Sequence, residues 1–236
     1  MWLINSSIGR KLVMAVTGLS LVLFLTFHAS MNVVALVSAE GYNMICEFLG
    51  ANWYALVATV GLAFLVVLHF VFAIILTLQN RKARGSDNYE VTNKPDKVEW
   101  YSQNMLVLGF IVCAGILLHL CNFWYHMQWA ELSGDSIQFA GGQALSAANG
   151  YGWIVYTFHD APLHMLFTCL YILWFFAIWF HMNHGIWSAF QTFGWSGKIW
   201  QNRWQCIGFI WSSVVVLMFV LVVLKFALLG DAPICG

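Results

Sequence analysis

The chain has 236 residues, 61% of them hydrophobic and only 8% charged, with a formal net charge of +0 and a mean hydropathy of +0.76. A water-soluble domain carries about 25% charged residues, so this composition excludes a water-facing globule and points to one integral membrane domain over residues 1–236. The balanced charge does not itself name a partner, and no nucleic-acid partner is expected.

A helix that crosses a bilayer needs about 20 mostly apolar residues, and five stretches meet that need: 12–37, 53–79, 103–127, 163–187 and 206–229. Arg10-Lys11 followed by an apolar run imitates a secretory signal, but the run continues to Val37, well past the roughly 7–15 residues of a signal-peptide core. It reads as a retained first helix. Residues 80–102 are strongly polar, and residues 128–162 are rich in glycine and serine, with room for a short interfacial helix or a capping loop. The apolar runs lack the period-two alternation of a membrane barrel. The fold class is therefore all-α: a membrane bundle of five transmembrane helices.

Lysine and arginine favour the cytoplasmic side of short loops. Arg10, Lys11, Arg81, Lys82, Arg84, Lys94, Lys97, Lys198 and Arg203 all fall on one side of the five spans. The opposite loops hold Glu40, Glu47, Glu131, Asp135 and Asp160 and no basic residue. The N-terminus is expected in the cytoplasm and the C-terminus outside. Lys225 is close enough to a helix end to snorkel, and Trp53, Trp100, Trp129, Trp187 and Trp204 lie where an interfacial aromatic belt would put them. The six cysteines (Cys46, Cys113, Cys121, Cys169, Cys206 and Cys235) show no CxxC spacing, which excludes a zinc ribbon and a c-type haem attachment. They read as inert thiols.

Four histidines, His28, His69, His119 and His181, each occupy a different apolar stretch. Polar side chains are costly in hydrocarbon, so an intramembrane histidine calls for a partner. Counting about 1.5 Å per residue from the basic ends puts His28 and His119 roughly 24 Å up, and His69 and His181 roughly 15 Å up or a little less. Two opposed pairs result, about 9 Å apart along the helix axes. Imidazole is a common axial ligand of haem iron, and ligands on facing helices are how bundles hold cofactors. Thr17-Gly18, Gly61, Gly109 and Gly115 would leave room for a flat macrocycle. The plainer readings are interhelical hydrogen bonds for the histidines and close helix packing for the glycines. His184, one turn from His181, is a candidate either to replace it or to touch a haem propionate. His126, His159 and His164 lie near the outer boundary, where histidine costs little, and His159-Asp160 is a candidate proton relay.

Two segments carry a family resemblance: SSIGRKLVMAVTGLSLVLFLTFHASMN near the start, and FHMNHGIWSAFQTFGW at 180–195, in which His181 precedes Gly185. With one histidine each in the second and third helices, the chain resembles the cytochrome b subunit of succinate:quinone oxidoreductases, of the single-subunit, five-helix, di-haem type often called the b558 family. The resemblance covers nearly the whole chain. It implies a membrane anchor in the bacterial cytoplasmic membrane for a flavoprotein subunit with covalent FAD and an iron–sulfur subunit, both cytoplasmic. It further implies two haem b groups and menaquinone as the exchangeable substrate, in a succinate dehydrogenase or a fumarate reductase. By the family pattern His69 and His181 are the axial ligands of the proximal haem, and His28 and His119 those of the distal haem. Arg10, Ser102, Ser188 and Gln191 are candidate propionate contacts. Glu47, with Glu40 behind it, is the candidate proton acceptor at the quinone site, although neither aligns cleanly with the family's carboxylate. Trp179 stands where some fumarate-reducing relatives carry a glutamate, which departs from their proton pathway. The alternative function is the haem b subunit of another membrane redox complex, such as a hydrogenase or formate dehydrogenase. A non-haem transporter or di-iron oxidase is a third reading, disfavoured by the two separate histidine levels and by the absence of inverted repeats.

Overall fold

A computed structural model describes residues 6–50, 52–84 and 99–231. Lys94, Lys97 and Cys235 lie outside the described residues. Five helices are long and apolar enough to cross a membrane. Ser6 starts α1 (Ser7–Val33), its hydroxyl accepting from the Gly9 amide at 2.9 Å, which satisfies one of the amides a helix start leaves unpaired. A 3-10 turn, Val34–Leu36, leads to the short α2 (Ala39–Phe48), capped in the same way by Ser38 on the Gly41 amide at 3.0 Å. The second span is α3 (Trp53–Arg84). After one short turn of helix, α4 (Trp100–Gln103), comes the third span, α5 (Met105–His119).

Beyond His119 the third span widens into a π-helix, Leu120–Trp129, before α6 (Ala130–Ser133). The segment that follows is a cap. Strands β1 (Ile137–Ala140) and β2 (Gln143–Ser146) form an antiparallel hairpin with Ala140 opposite Gln143. Its two-residue turn is Gly141-Gly142, with φ of +61° and +83°. That conformation matches the twist of the strands and is open to glycine at little cost. The cap continues through α7 (Gly150–Val155), started by Asn149 on the Gly152 amide at 2.9 Å, and a π turn, Tyr156–Asp160. The hairpin is an addition to the all-α expectation, and the cap is the structured form of the anticipated loop.

The fourth and fifth spans are α8 (His164–Thr192) and α9 (Lys198–Leu229). They run further at the basic end than the apolar runs, which stop near 187 and begin again near 206. A helix of 32 residues is about 48 Å long, against a hydrocarbon core of about 30 Å. Hydropathy reports where the lipid ends, and the helix continues past it.

The core lies between α1, α8 and α9. On α9 the buried positions Gly208, Ser212, Val215, Phe219, Val222 and Phe226 recur at alternating spacings of four and three. On α8 the matching stripe is Tyr171, Phe175, Ile178, Met182 and Ile186, and α1 adds Val22 and Ala29. Such 3–4 spacing keeps one face against a neighbour along the whole helix. A Cβ on Gly208 would stand 3.3 Å from the Asn183 carbonyl, so the small residue is what lets α9 approach α8. The second and third spans are different. Only 6% of the most apolar stretch of each is buried, against 33% in the fourth and 39% in the fifth. Both histidine pairs draw one member from these loosely held helices.

Candidate cofactor site in the bundle

The structure brings His69 together with His181, and His28 together with His119. The first two rings lie 6.2 Å apart between centroids with planes at 62°, and the second two 5.8 Å apart at 84°. Each pair bridges two helices: α3 to α8 at the inner, basic end, and α1 to α5 further out. The two levels are further apart than counting from the apolar ends gives. The inner level lies at Gly18 on α1 and Gly109 on α5, whose Cβ positions would be 3.2 Å and 3.7 Å from His69 and His181. Both markers are ten residues from the outer histidine on the same helix, which is about 15 Å rather than about 9 Å.

The inner pair has a polar setting. Thr17 Oγ1 donates to the Val13 carbonyl at 2.8 Å and lies 3.1 Å from His69 Nδ1. With its own proton spent on the backbone, the hydroxyl accepts from Nδ1–H, which fixes the tautomer and leaves the Nε2 lone pair of His69 free. This is how an outer hydrogen bond orients a metal-binding imidazole. His181 Nδ1 is buried and has no hydrogen-bond partner among the described residues. A buried polar atom left unpaired costs about 1–3 kcal/mol.

The outer pair is walled by aromatic rings. Phe24 stacks on His28 at 5.4 Å, and Phe219 tilts against it at 5.8 Å. Phe123, Trp174 and Tyr171 surround His119 at 5.2, 5.9 and 6.3 Å. The Gly115 position is filled by the Trp174 ring, whose Nε1 donates to the Val112 carbonyl at 3.0 Å. Gly115 therefore makes room for an indole. Gly61 is exposed, with no side chain beside it, and makes no room at either pair. Among the described glycines, only Gly18 and Gly109 border a histidine of either pair.

The ring spacings at both levels are compatible with a shared iron. Metal–imidazole bonds are about 2 Å, so two rings sharing one metal have centroids roughly 6 Å apart once the ring radii are added. Edge-to-face rings in direct contact span about 4.5–7 Å, so spacing alone suits both arrangements. The oriented His69, with its Nε2 left free, is what favours a shared ligand at the inner level. Among the described residues no group of three or more His, Cys, Asp or Glu could hold a metal ion.

The other candidates are dispersed. Ser102 lies 2.8 Å from His184 Nδ1, and the two rings of His184 and Trp187 meet at 4.8 Å. Arg10 is half-buried on α1, Ser188 is half-buried on α8, and Gln191 is exposed near its end. Glu40 and Glu47 are both exposed on α2. Instead Glu131, half-buried at the base of the cap, adjoins Gly50 and the Tyr42–Cys46 pair. Tyr42 donates to Asn32 Oδ1 at 3.1 Å, and Asn32 donates to the His28 carbonyl at 2.8 Å. Burial raises the Tyr42 hydroxyl well above its ordinary value and pushes the Cys46 thiol up to about 11, with the Glu131 charge adding to the latter.

His126 stacks on Trp153 at 4.6 Å and bonds Gln138, a structural role in the cap. His159 pairs with Asp160 at 2.7 Å on the surface, and His164 Nδ1 meets the Ala161 carbonyl. Lys225 does not simply snorkel: it donates to the Tyr151 hydroxyl at 3.2 Å and the Gly230 carbonyl at 3.0 Å. Burial and then Asp231 push Tyr151 up to about 12. Of the expected belt, Trp53, Trp100 and Trp129 are exposed, but Trp187 buries its Nε1 inside the bundle. A tryptophan near the end of an apolar run gives no sign of which way it faces. Comparison with protein-family models, with curated proteins and with solved structures found no match to this chain.

Proposed function

We propose that this chain is the di-haem membrane anchor and quinone-reactive electron-transfer subunit of a succinate:quinone oxidoreductase, of the cytochrome b type named above. The observation that carries the reading is the pairing of four intramembrane histidines, 28 with 119 and 69 with 181, across facing helices at two levels. Two haem b groups, when bound, would supply one-electron transfer between soluble partners on one side and quinone on the other.

The residues of the chain do the rest. His69 and His181 hold the inner macrocycle, with Thr17 keeping His69 in the ligand tautomer. His28 and His119 hold the outer one, and Phe24, Phe123, Trp174 and Phe219 keep water from it. Burial and axial imidazoles are the levers by which a protein tunes such a centre. In this reading the flavoprotein and iron–sulfur subunits dock on the basic, cytoplasmic end, and Glu47 exchanges protons with menaquinone at the outer end. The protein sits in a bacterial cytoplasmic membrane and serves either succinate oxidation or fumarate reduction. The test is a reduced-minus-oxidised spectrum of the purified chain with haem counting. Two protohaems per chain are expected, and any other stoichiometry overturns the proposal. Co-purifying flavin with succinate oxidation supports the assignment of partners, whereas nickel or molybdenum would give it to a hydrogenase or formate dehydrogenase.

A further inference from the structure

We infer that Trp187, with the Ser102–His184 pair, forms a carboxylate-binding notch at the inner end of the bundle, and that it takes a propionate of the inner macrocycle. The inference rests on the function proposed above and adds residues to it.

The indole Nε1 of Trp187 is buried and has no hydrogen-bond partner among the described residues. An indole N–H can only donate, so what is missing is an acceptor. Beside it, Ser102 Oγ and His184 Nδ1 share one hydrogen bond at 2.8 Å. If the hydroxyl donates to Nδ1, the neutral imidazole keeps its Nε2–H. If Nδ1–H donates to the hydroxyl, the serine keeps its own proton. In either tautomer the pair retains one unspent donor, and the His184 ring packs edge-on against Trp187 at 4.8 Å. The indole N–H thus lacks an acceptor beside a pair that retains a donor, and a carboxylate is an acceptor-only group with two oxygens.

The position also fits. His181, His184 and Trp187 descend α8 at intervals of three residues, so Trp187 lies about 9 Å along the axis from the inner ligand, toward the basic end, and about 120° around the helix from it, with His184 between them. A macrocycle held by His181 with its acidic edge toward that end would bring a carboxylate to the notch. Hydrogen bonds to charged acceptors are worth about 1.5–3 kcal/mol, which is tenfold or more in affinity.

The experiment titrates the haem-depleted full chain, in detergent, with protohaem and with its dimethyl ester, following the Soret band. For the inner site, wild type should bind protohaem about tenfold more tightly than the ester, and Trp187→Phe should lose about tenfold for protohaem and nothing for the ester. Ser102→Ala should move the same way by less, and Trp195→Phe, at an exposed tryptophan of the same end, should change neither. Equal weakening of both ligands in Trp187→Phe would show a packing role and overturn the inference. So would equal wild-type affinity for acid and ester, which would leave the indole N–H to a water. If no porphyrin binds to any form, the proposed function itself fails and this inference with it.

Discussion

The inner and outer histidine pairs solve one problem in two ways. At the inner level an imidazole is turned and held by a hydrogen bond from its own ring to Thr17, with Gly18 and Gly109 close against the rings. At the outer level His28 and His119 make no ring hydrogen bond to protein among the described residues, and their orientation comes from Phe24, Phe123, Trp174 and Phe219. A hydrogen bond fixes which nitrogen carries the proton, while aromatic packing fixes only where the ring can lie. The inner pair should therefore respond to polar substitutions and the outer pair to steric ones.

The most severe way to break the comparison is to remove a ligand. On the proposed function, His28→Ala should take haem content from the expected two per chain to one, with assembly retained better than quinone turnover. Unchanged content would contradict the assignment of the outer pair. Next in size is Gly115→Leu, which drives a side chain into the Trp174 ring. Overpacking of this kind costs about 1–3 kcal/mol, to be read as a lower thermal midpoint in detergent, with the outer haem band perturbed and the inner one unchanged.

Thr17→Val is subtler. It deletes a hydrogen bond worth about 1 kcal/mol, so the inner band should broaden or shift while the outer one stays, and Thr17→Ser should restore it. A Thr17→Val effect confined to the outer band would reverse the comparison. The smallest effect concerns the polar layer above the outer pair. With its thiol pushed up to about 11 by burial, Cys46 is protonated at pH 8 and should resist alkylation there. The folded value lies above the ordinary 9.0, so the associated stability is complete below about pH 9 and is lost as the pH rises toward 11. Rapid labelling of Cys46 at pH 8 would show that the layer is open to water.

The membrane class and the five spans were legible because hydrocarbon imposes a minimum apolar length that no loop satisfies. So was the pairing of His28 with His119, each 16 residues from the basic end of its apolar run, whereas His69 and His181, at 10 and 6 residues, matched only roughly. The helix ends at Thr192 and Lys198 were not, because past the lipid boundary hydropathy no longer distinguishes helix from loop. The π-helix after His119 left no compositional trace. The Gly141-Gly142 hairpin did leave one, the glycine pair between IQFA and QALS, inside a stretch too mixed to separate strand from helix. Trp174 and Trp187 show the deeper limit: composition says that an indole is present, but only packing decides whether it fills a glycine notch or buries its N–H.

The cap between the third and fourth spans has one more consequence. Trp153, 1% exposed, packs with Ala140 and Leu145 against Phe123, and Phe123 in turn lies against His119. These packed rings cover the His119 imidazole on the side of the cap. A hydrophobic molecule bound for it would find its doorway in the flank of the bundle, travelling within the lipid and passing between helices, without ever leaving the bilayer.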